Sequence, residues 1–172
     1  MKKTGILSRV RNSKGGVAGL IGITLLPLAV GGVSSLLTSD AMAQFGRMVQ
    51  PPLSPPAWLF PVAWTMLYVL MGLASWRIFA SEPQMTEAAD ARKVAIGIYV
   101  VQLALNFLWS LVFFGAGLYW AALVVLLVMW ALIIALVVLA RRIDRTASLL
   151  LLPYLAWTTF AAYLNIGVAV LN

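Results

Sequence analysis

The stretch PPLSPPAWLFPVAWTMLYVLMG, residues 51–72, joins a proline-rich loop to an apolar segment loaded with aromatic residues. Proline fixes φ and lacks an amide proton, so the loop is stiff and no helix can extend backwards through it. A helix is predicted to begin after Pro56, with Pro61 in its first turn, where the missing amide costs little. Trp64 and Tyr68 then lie one turn apart on one face of that helix.

The composition predicts the solvent around this helix. Of the 172 residues, 63% are hydrophobic and 10% are charged, and the mean hydropathy is +0.98. Soluble domains average about 25% charged residues. The apolar runs reach the ~20 residues that cross a bilayer as a helix, and they are too long for barrel strands of about ten residues. We therefore predict an all-α integral membrane protein, a bundle of five transmembrane helices.

The predicted spans are residues 17–37, 58–79, 94–114, 119–140 and 147–170. They form one transmembrane domain, residues 17–172, behind a basic N-terminal extension, residues 1–16. The alternative for the first run is a secretory signal cleaved after Ala41-Met42-Ala43. The run is longer than the 7–15 residues of a signal core, so we interpret it as the first span.

The basic residues predict the orientation. Eleven of the twelve Lys and Arg residues lie on one side of the predicted topology, and Arg47 is the exception. The positive-inside rule then places the N-terminus in the cytoplasm and the first loop and C-terminus in the periplasm, with a bacterial inner membrane as the expected location. The net charge of +7 indicates topology and anionic lipids as partners, and no nucleic acid.

Small residues in the first span suggest a second contact. Gly15, Ala18, Gly19 and Gly22 have small-xxx-small spacing. This spacing indicates close helix packing, with a homodimer interface as the alternative.

The missing residue types narrow the chemistry. The chain has no His and no Cys, which excludes imidazole and thiolate metal sites and haem ligation by these residues. No charged residue lies in the body of a span, which disfavours a proton pump or proton-coupled transporter. No metal site and no required cofactor are predicted.

Polar residues inside the spans are the candidate binding groups. Gln102, Asn106 and Ser110 repeat every four residues, and Trp109 and Phe113 lie beside them. The fifth span repeats the pattern with these residues: Tyr154, Trp157, Thr158, Ala161 and Asn165. Either set can contact a ligand, or can bond and pack the helices to one another.

The tryptophans divide by depth. Trp76 and Trp120 lie near span ends and are expected in the interfacial belt, whereas Trp58 fits either the belt or the deeper group. The deeper indoles need acceptors for their N–H groups. These are Trp64, Trp109, Trp130 and Trp157.

Three sequence blocks lie on different predicted spans. Residues 55–71 read PPxWxFPxxWTxLYxxM, residues 102–115 read QLxxNxxWxxxFFG, and residues 153–165 read PYxxWxxFAxxLN. Together they resemble the TspO/MBR family of tryptophan-rich sensory proteins and translocator proteins, also called peripheral-type benzodiazepine receptors. The resemblance implies a five-helix bundle, often dimeric, whose pocket beneath the first loop takes porphyrins, haem and synthetic ligands of the benzodiazepine-site class.

The residues and the resemblance together give a predicted ligand-binding set. The resemblance alone implies Trp64, Asn106, Trp109, Ser110, Trp157 and Ala161. The full set is Trp58, Trp64, Tyr68, Gln102, Asn106, Trp109, Ser110, Phe113, Tyr154, Trp157, Ala161 and Asn165.

The implied function is a binding and sensory protein for a tetrapyrrole, porphyrin or haem, that regulates a stress, oxygen or light response. Two alternatives stay open. One is a transporter of porphyrins or lipids, and the other is an enzyme that degrades porphyrin in light, with Trp64 and Trp157 as the redox-active residues. No conventional acid, base or nucleophile constellation is present.

Overall fold

The computed structural model describes residues 16–39, 48–81 and 86–172, and no strand occurs among them. Five helices are long and apolar enough to cross a membrane, which confirms the predicted fold class. They are α1 (Gly16–Leu37), α2 (Leu59–Ala80), α3 (Thr86–Ser110), α4 (Tyr119–Ile143) and α5 (Arg145–Leu171). The N-terminal extension up to residue 15, the Ala41-Met42-Ala43 segment and Arg47 lie outside the described residues.

The helices form a ring in which sequence neighbours are not always spatial neighbours. α4 packs against α3 and α5, while α2 packs against α1 and α5. α1 leans mainly on α2 and touches α3 much less. A layer of large apolar side chains from α4, including Leu126, Met129 and Ile133, is fully buried in the ring.

Glycines set the contact between α1 and α2. A Cβ atom at Gly72 would lie 2.5 Å from the Thr24 Cα atom, so only glycine lets the two backbones meet there. Gly31 makes room in the same way for the Tyr68 ring. Gly22 has open space around it, so the close packing predicted for the first span is wrong at that position within the chain, and the homodimer alternative stays a prediction.

The end of the bundle away from the proline loop is closed by polar contacts. Asp144 caps α5 by accepting hydrogen bonds from the Thr146 and Ala147 amides, at 2.8 and 3.0 Å. Its two carboxylate oxygens also accept from the Arg77 guanidinium at the end of α2, at 3.1 and 2.7 Å. Arg92 of α3 donates to the Ser81 carbonyl at 2.7 Å, just beyond α2.

Trp76 corrects one sequence-based prediction. Its side chain is buried, with 4% of its surface exposed, so it does not belong to the interfacial belt. It lies one helical turn beyond Gly72, on the side of α2 that α1 covers. Trp120 is 60% exposed at the start of α4, as expected for a belt residue.

The proline loop lies on the C-terminal end of α5. Val49 exchanges two hydrogen bonds with the Asn172 side chain, at 3.2 and 3.1 Å. The Tyr163 hydroxyl donates to the Pro52 carbonyl at 2.7 Å, and the Pro51 ring fills the space above Gly167. The loop therefore holds the ends of α2 and α5 together on the side where the helices enclose a cavity.

Candidate functional site: an aromatic pocket inside the bundle

The pocket lies between α1, α2, α3 and α5, in the half of the bundle nearer the proline loop. Its volume is about 280 Å³. Each of the four helices contributes to its walls, which are mainly aromatic and small side chains. The lining residues are Leu28, Gly31, Gly32, Ser34, Ser35, Phe60, Pro61, Trp64, Thr65, Tyr68, Asn106, Trp109, Ser110, Phe113, Phe114, Trp157, Ala161, Leu164 and Asn165.

Nine of the twelve residues predicted from sequence line this pocket. The other three are Trp58, Gln102 and Tyr154. Trp58 precedes the first turn of α2 and is 65% exposed, so it lies outside the pocket. Gln102 and Tyr154 are fully buried and lie behind the lining residues, with which they share hydrogen bonds.

A chain of hydrogen bonds forms the pocket floor, which we define as Tyr68, Asn106, Tyr154 and Gln102. The Tyr68 hydroxyl donates to the Asn106 oxygen at 2.8 Å, and the Asn106 amide donates to the Tyr154 hydroxyl at 3.3 Å. The Tyr154 hydroxyl donates in turn to the Gln102 oxygen at 2.9 Å. These bonds join α2, α3 and α5, so the floor residues bind the bundle together.

Asn165 has a similar structural role. Its oxygen accepts a hydrogen bond from the Trp109 indole at 3.1 Å, and its amide donates to the Tyr119 carbonyl at 2.8 Å. The side chain thus ties α5 to α3 and to the first residue of α4. For Asn165, the interpretation as an interhelical hydrogen bond is the one that these bonds support.

The pocket wall differs from the floor, and we define it as Trp64, Trp157, Ser34 and Ser110. Within the described part of the chain, the N–H groups of Trp64 and Trp157 have no hydrogen-bond acceptor. The Ser34 hydroxyl is buried and also lacks a partner there. The wall therefore presents polar groups that can donate to a ligand inside an otherwise apolar cavity.

Aromatic contacts fix the wall geometry. Trp64 stacks on Tyr68 with ring centroids 5.5 Å apart, and its ring lies 6.2 Å from Trp109. On the opposite side, Trp157 meets Phe60 edge to face at 6.2 Å. Such contacts favour particular orientations of the two indoles by about 0.5–1.5 kcal/mol for each pair of rings.

A π-turn shapes the α3 wall. Residues Leu111–Gly115 continue α3 with a wider winding, and the Ala116 amide donates to the Leu111 carbonyl at 2.9 Å. Gly117, with φ of +66°, then reverses the chain towards α4. π-Turns occur often at functional sites, and this one presents Phe113 and Phe114 to the pocket.

The pocket has no charge of its own. Among the described residues that line it, none is acidic or basic.

The Arg77–Asp144 ion pair lies at the other end of α2. Burial raises the pKa of Asp144, but the Arg77 guanidinium and two backbone amides outweigh this effect and hold the pKa below its usual value. No group of three or more metal-ligating side chains occurs among the described residues.

Sequence reasoning missed the contribution of α1. Five of its residues line the pocket: Leu28, Gly31, Gly32, Ser34 and Ser35. The GGVSS segment, residues 31–35, interrupts a run of large apolar side chains with glycine and hydroxyl groups. That interruption is a signal that could have marked α1 as part of the site.

The fold and the site define a class of protein: a small multi-pass integral membrane protein whose helices enclose an uncharged aromatic pocket. The chain belongs to the TspO/MBR family, which it matches over residues 23–171. It is 37% identical to the tryptophan-rich protein TspO of Chlorobaculum tepidum over 86% of this chain and 91% of the relative.

Other relatives come from distant organisms. The tryptophan-rich sensory protein of Cereibacter sphaeroides is 38% identical over 74% of this chain and 76% of its own length. The translocator protein of Ovis aries is 34% identical over 84% of this chain and 85% of its own length.

Proposed function

We propose that the protein is a membrane-embedded binding and sensory protein for a tetrapyrrole, a porphyrin or haem, which it holds in the aromatic pocket. The proposal rests on the chemistry of the pocket wall. Trp64, Trp157 and Ser34 line an uncharged cavity rich in aromatic rings, and their N–H and hydroxyl groups have no partner among the described residues. Such a surface suits a flat, apolar ligand whose edge carries hydrogen-bond acceptors.

Binding would rest on stacking and hydrogen bonds. The Trp64 and Trp157 rings would contact the faces of the ligand, and their N–H groups would donate to carbonyl or carboxylate oxygens at its edge. The chain has no His or Cys, so a haem would be held without axial ligation by either residue.

The cavity volume limits how much of a tetrapyrrole the pocket can enclose. About 280 Å³ lies at the lower end of the ~300–1,000 Å³ typical of ligand pockets. A whole tetrapyrrole would therefore enter by one edge and leave the other edge projecting between helices. The names of the relatives, tryptophan-rich sensory protein and translocator protein, support a sensory or transport role of the same site.

The test is a titration of the purified protein with protoporphyrin in the dark, followed by tryptophan fluorescence. The Trp64→Phe/Trp157→Phe double variant removes both wall indoles and keeps aromatic rings in place. We expect saturable quenching in the wild type and at least about tenfold weaker binding in the variant, since two hydrogen bonds of about 1 kcal/mol each are lost.

Trp120→Phe is the matched control, because Trp120 is exposed and does not line the pocket. It should bind as the wild type does. Equal binding by the double variant and the control would contradict the proposal. Loss of the porphyrin absorption band on illumination in the wild type alone would instead favour the light-dependent enzyme.

A further inference from the structure

We infer that the pocket is loaded sideways from the bilayer, through an opening between α1 and α2, by a ligand dissolved among the lipid acyl chains. The inference rests on the proposed function for the identity of the ligand. Of the lining residues, four are solvent-exposed as well as pocket-facing: Gly32, Ser35, Pro61 and Thr65. All four belong to α1 or α2, so the thinnest wall of the pocket lies between these helices.

α1 and α2 meet closely at some positions and leave open space at others. Nearer the far end they touch closely, because Gly72 meets Thr24 and Gly31 receives the Tyr68 ring. At the next residue of α1, a Cβ atom on Gly32 would meet nothing within 4 Å, and Pro61 and Thr65, which also line the pocket, are exposed. The contact at Gly31 and Gly72 therefore forms the lower edge of the opening.

The depth of the opening puts it in hydrocarbon. Gly32 lies five residues before the end of α1, and Thr65 lies six residues after the start of α2, which places both about 8–9 Å below the helix ends. A helix of 22 residues is about 33 Å long and matches the ~30 Å hydrocarbon core. The opening thus faces acyl chains and not water.

The residues around the opening, Gly32, Ser35, Pro61 and Thr65, are chemically suited to the hydrocarbon core. The Thr65 hydroxyl donates to the Pro61 carbonyl at 2.7 Å, so it is satisfied without water. Gly32 adds no side chain, and Ser35 adds only a small one. An amphiphile leaving the bilayer would next meet the Ser34 hydroxyl, which is buried and unpartnered within the described residues.

The aqueous side offers a more obstructed route. The proline loop is fastened to α5 by the Val49–Asn172 pair, by the Tyr163 hydroxyl and by Pro51 above Gly167. Passage there would require several of these contacts to break together. Passage between α1 and α2 near Gly32 breaks none of them.

Gly32→Leu narrows the opening without a steric clash, and Gly22→Leu is its matched control on the same helix, also in open space. Both changes should raise helix propensity alike. Protoporphyrin is supplied in the bilayer of vesicles containing the full-length protein, and its binding and release are followed by stopped-flow fluorescence. For Gly32→Leu, we expect both rates to fall about tenfold, corresponding to ~1.4 kcal/mol in the barrier.

Release should slow as well as binding, because a narrower passage raises the barrier in both directions. Gly22→Leu should match the wild type. Tyr163→Phe, which removes one of the contacts between the loop and α5, should leave both rates unchanged. Unchanged rates in Gly32→Leu, or faster rates in Tyr163→Phe, would overturn the inference and place the passage at the loop.

A second readout needs no tetrapyrrole, so it separates failure of this inference from failure of the proposed function. Phospholipids brominated on their acyl chains quench tryptophans that they contact. Trp64 lies beside Pro61 and Thr65 in the pocket, so an open passage exposes it to bromine. We expect less quenching in Gly32→Leu than in Gly22→Leu, whereas equal quenching in the two variants would show that acyl chains do not enter there.

Discussion

The half of the bundle near the proline loop and the half away from it are built from the same helices but use them differently. In the closed half, α1 lies against α2 at Gly72, Trp76 is buried, and the Arg77–Asp144 pair joins α2 to the α4–α5 turn. In the pocket half, Trp64, Trp157 and Ser34 line a cavity, and their N–H and hydroxyl groups have no partner among the described residues. The close backbone contact and the ion pair thus lie in one half, and the cavity lies in the other.

The largest effect on stability is expected at the α1–α2 contact. In Gly72→Ala, the added methyl would lie 2.5 Å from the Thr24 Cα and 2.9 Å from its carbonyl oxygen, so α1 must move. We expect a loss of about 2–3 kcal/mol, measured by unfolding in detergent. Gly22→Ala on the same helix meets nothing and should be neutral or slightly stabilising. Equal stability of the two variants would contradict the close contact.

The pocket floor should come next. Tyr154→Phe removes the hydroxyl at the centre of the floor and leaves buried amide groups of Asn106 and Gln102 without it. We expect a loss of about 2 kcal/mol, because unpaired buried amides cost more than the bond itself. Tyr163→Phe, at a 41% exposed position, is the control and should cost far less. A floor variant as stable as this control would show that the floor does not hold the helices together.

The ion pair of the closed half predicts a pH dependence. The pKa of Asp144 is lower in the folded protein than in the unfolded chain, so its contribution is complete above the unfolded value and is lost as pH falls through the folded one. Stability should therefore decline below about pH 4.

Asp144→Asn isolates this effect, because asparagine caps a helix about as well as aspartate does. The variant should lose about 1 kcal/mol at neutral pH, between the values for surface and buried pairs. Its stability should also vary less with pH over the acidic range. The same acid-induced decline in the variant and the wild type would assign the effect to another group.

The smallest effects on the free energy of unfolding are expected at two buried serines. The Ser148 hydroxyl of the closed half donates to the Val137 carbonyl at 2.9 Å, whereas the Ser34 hydroxyl of the pocket half has no partner among the described residues. Ser148→Ala should cost about 0.6 kcal/mol, the average for such bonds in membranes. Ser34→Ala should be neutral or stabilising, since it removes an unsatisfied group. The reverse order in thermal unfolding would contradict the division between the halves.

The sequence predicted the fold because its signals are local. Apolar runs of bilayer length, Pro56 before α2 and Gly117 after α3 define the helices without knowledge of their packing. The aromatic faces of α2, α3 and α5 were also predictable from four-residue spacing. Their hydrogen-bond partners were not, because they depend on which helices are neighbours in the ring.

Two pairs of residues show which roles could not be predicted from the sequence. Asn106 and Asn165 were both predicted as ligand contacts, yet each uses its oxygen and its amide to bond other helices. Asn106 bonds Tyr68 and Tyr154. Asn165 bonds Trp109 and Tyr119. Trp76 and Trp120 looked alike as belt residues, yet α1 covers the first. In both cases the tertiary packing, and not the residue type, decided the role of the side chain.

The most direct test of the division between wall and floor is the NMR spectrum of the indole N–H groups, assigned with single Trp→Phe variants, as protoporphyrin is added in the dark. The account predicts the largest shifts at Trp64 and Trp157, which line the pocket and whose N–H groups have no acceptor among the described residues. Trp130, bonded to Thr159 at 2.8 Å and away from the pocket, should not move. Shifts confined to the exposed Trp58 and Trp120, or no shifts at all, would contradict a ligand held by the pocket wall.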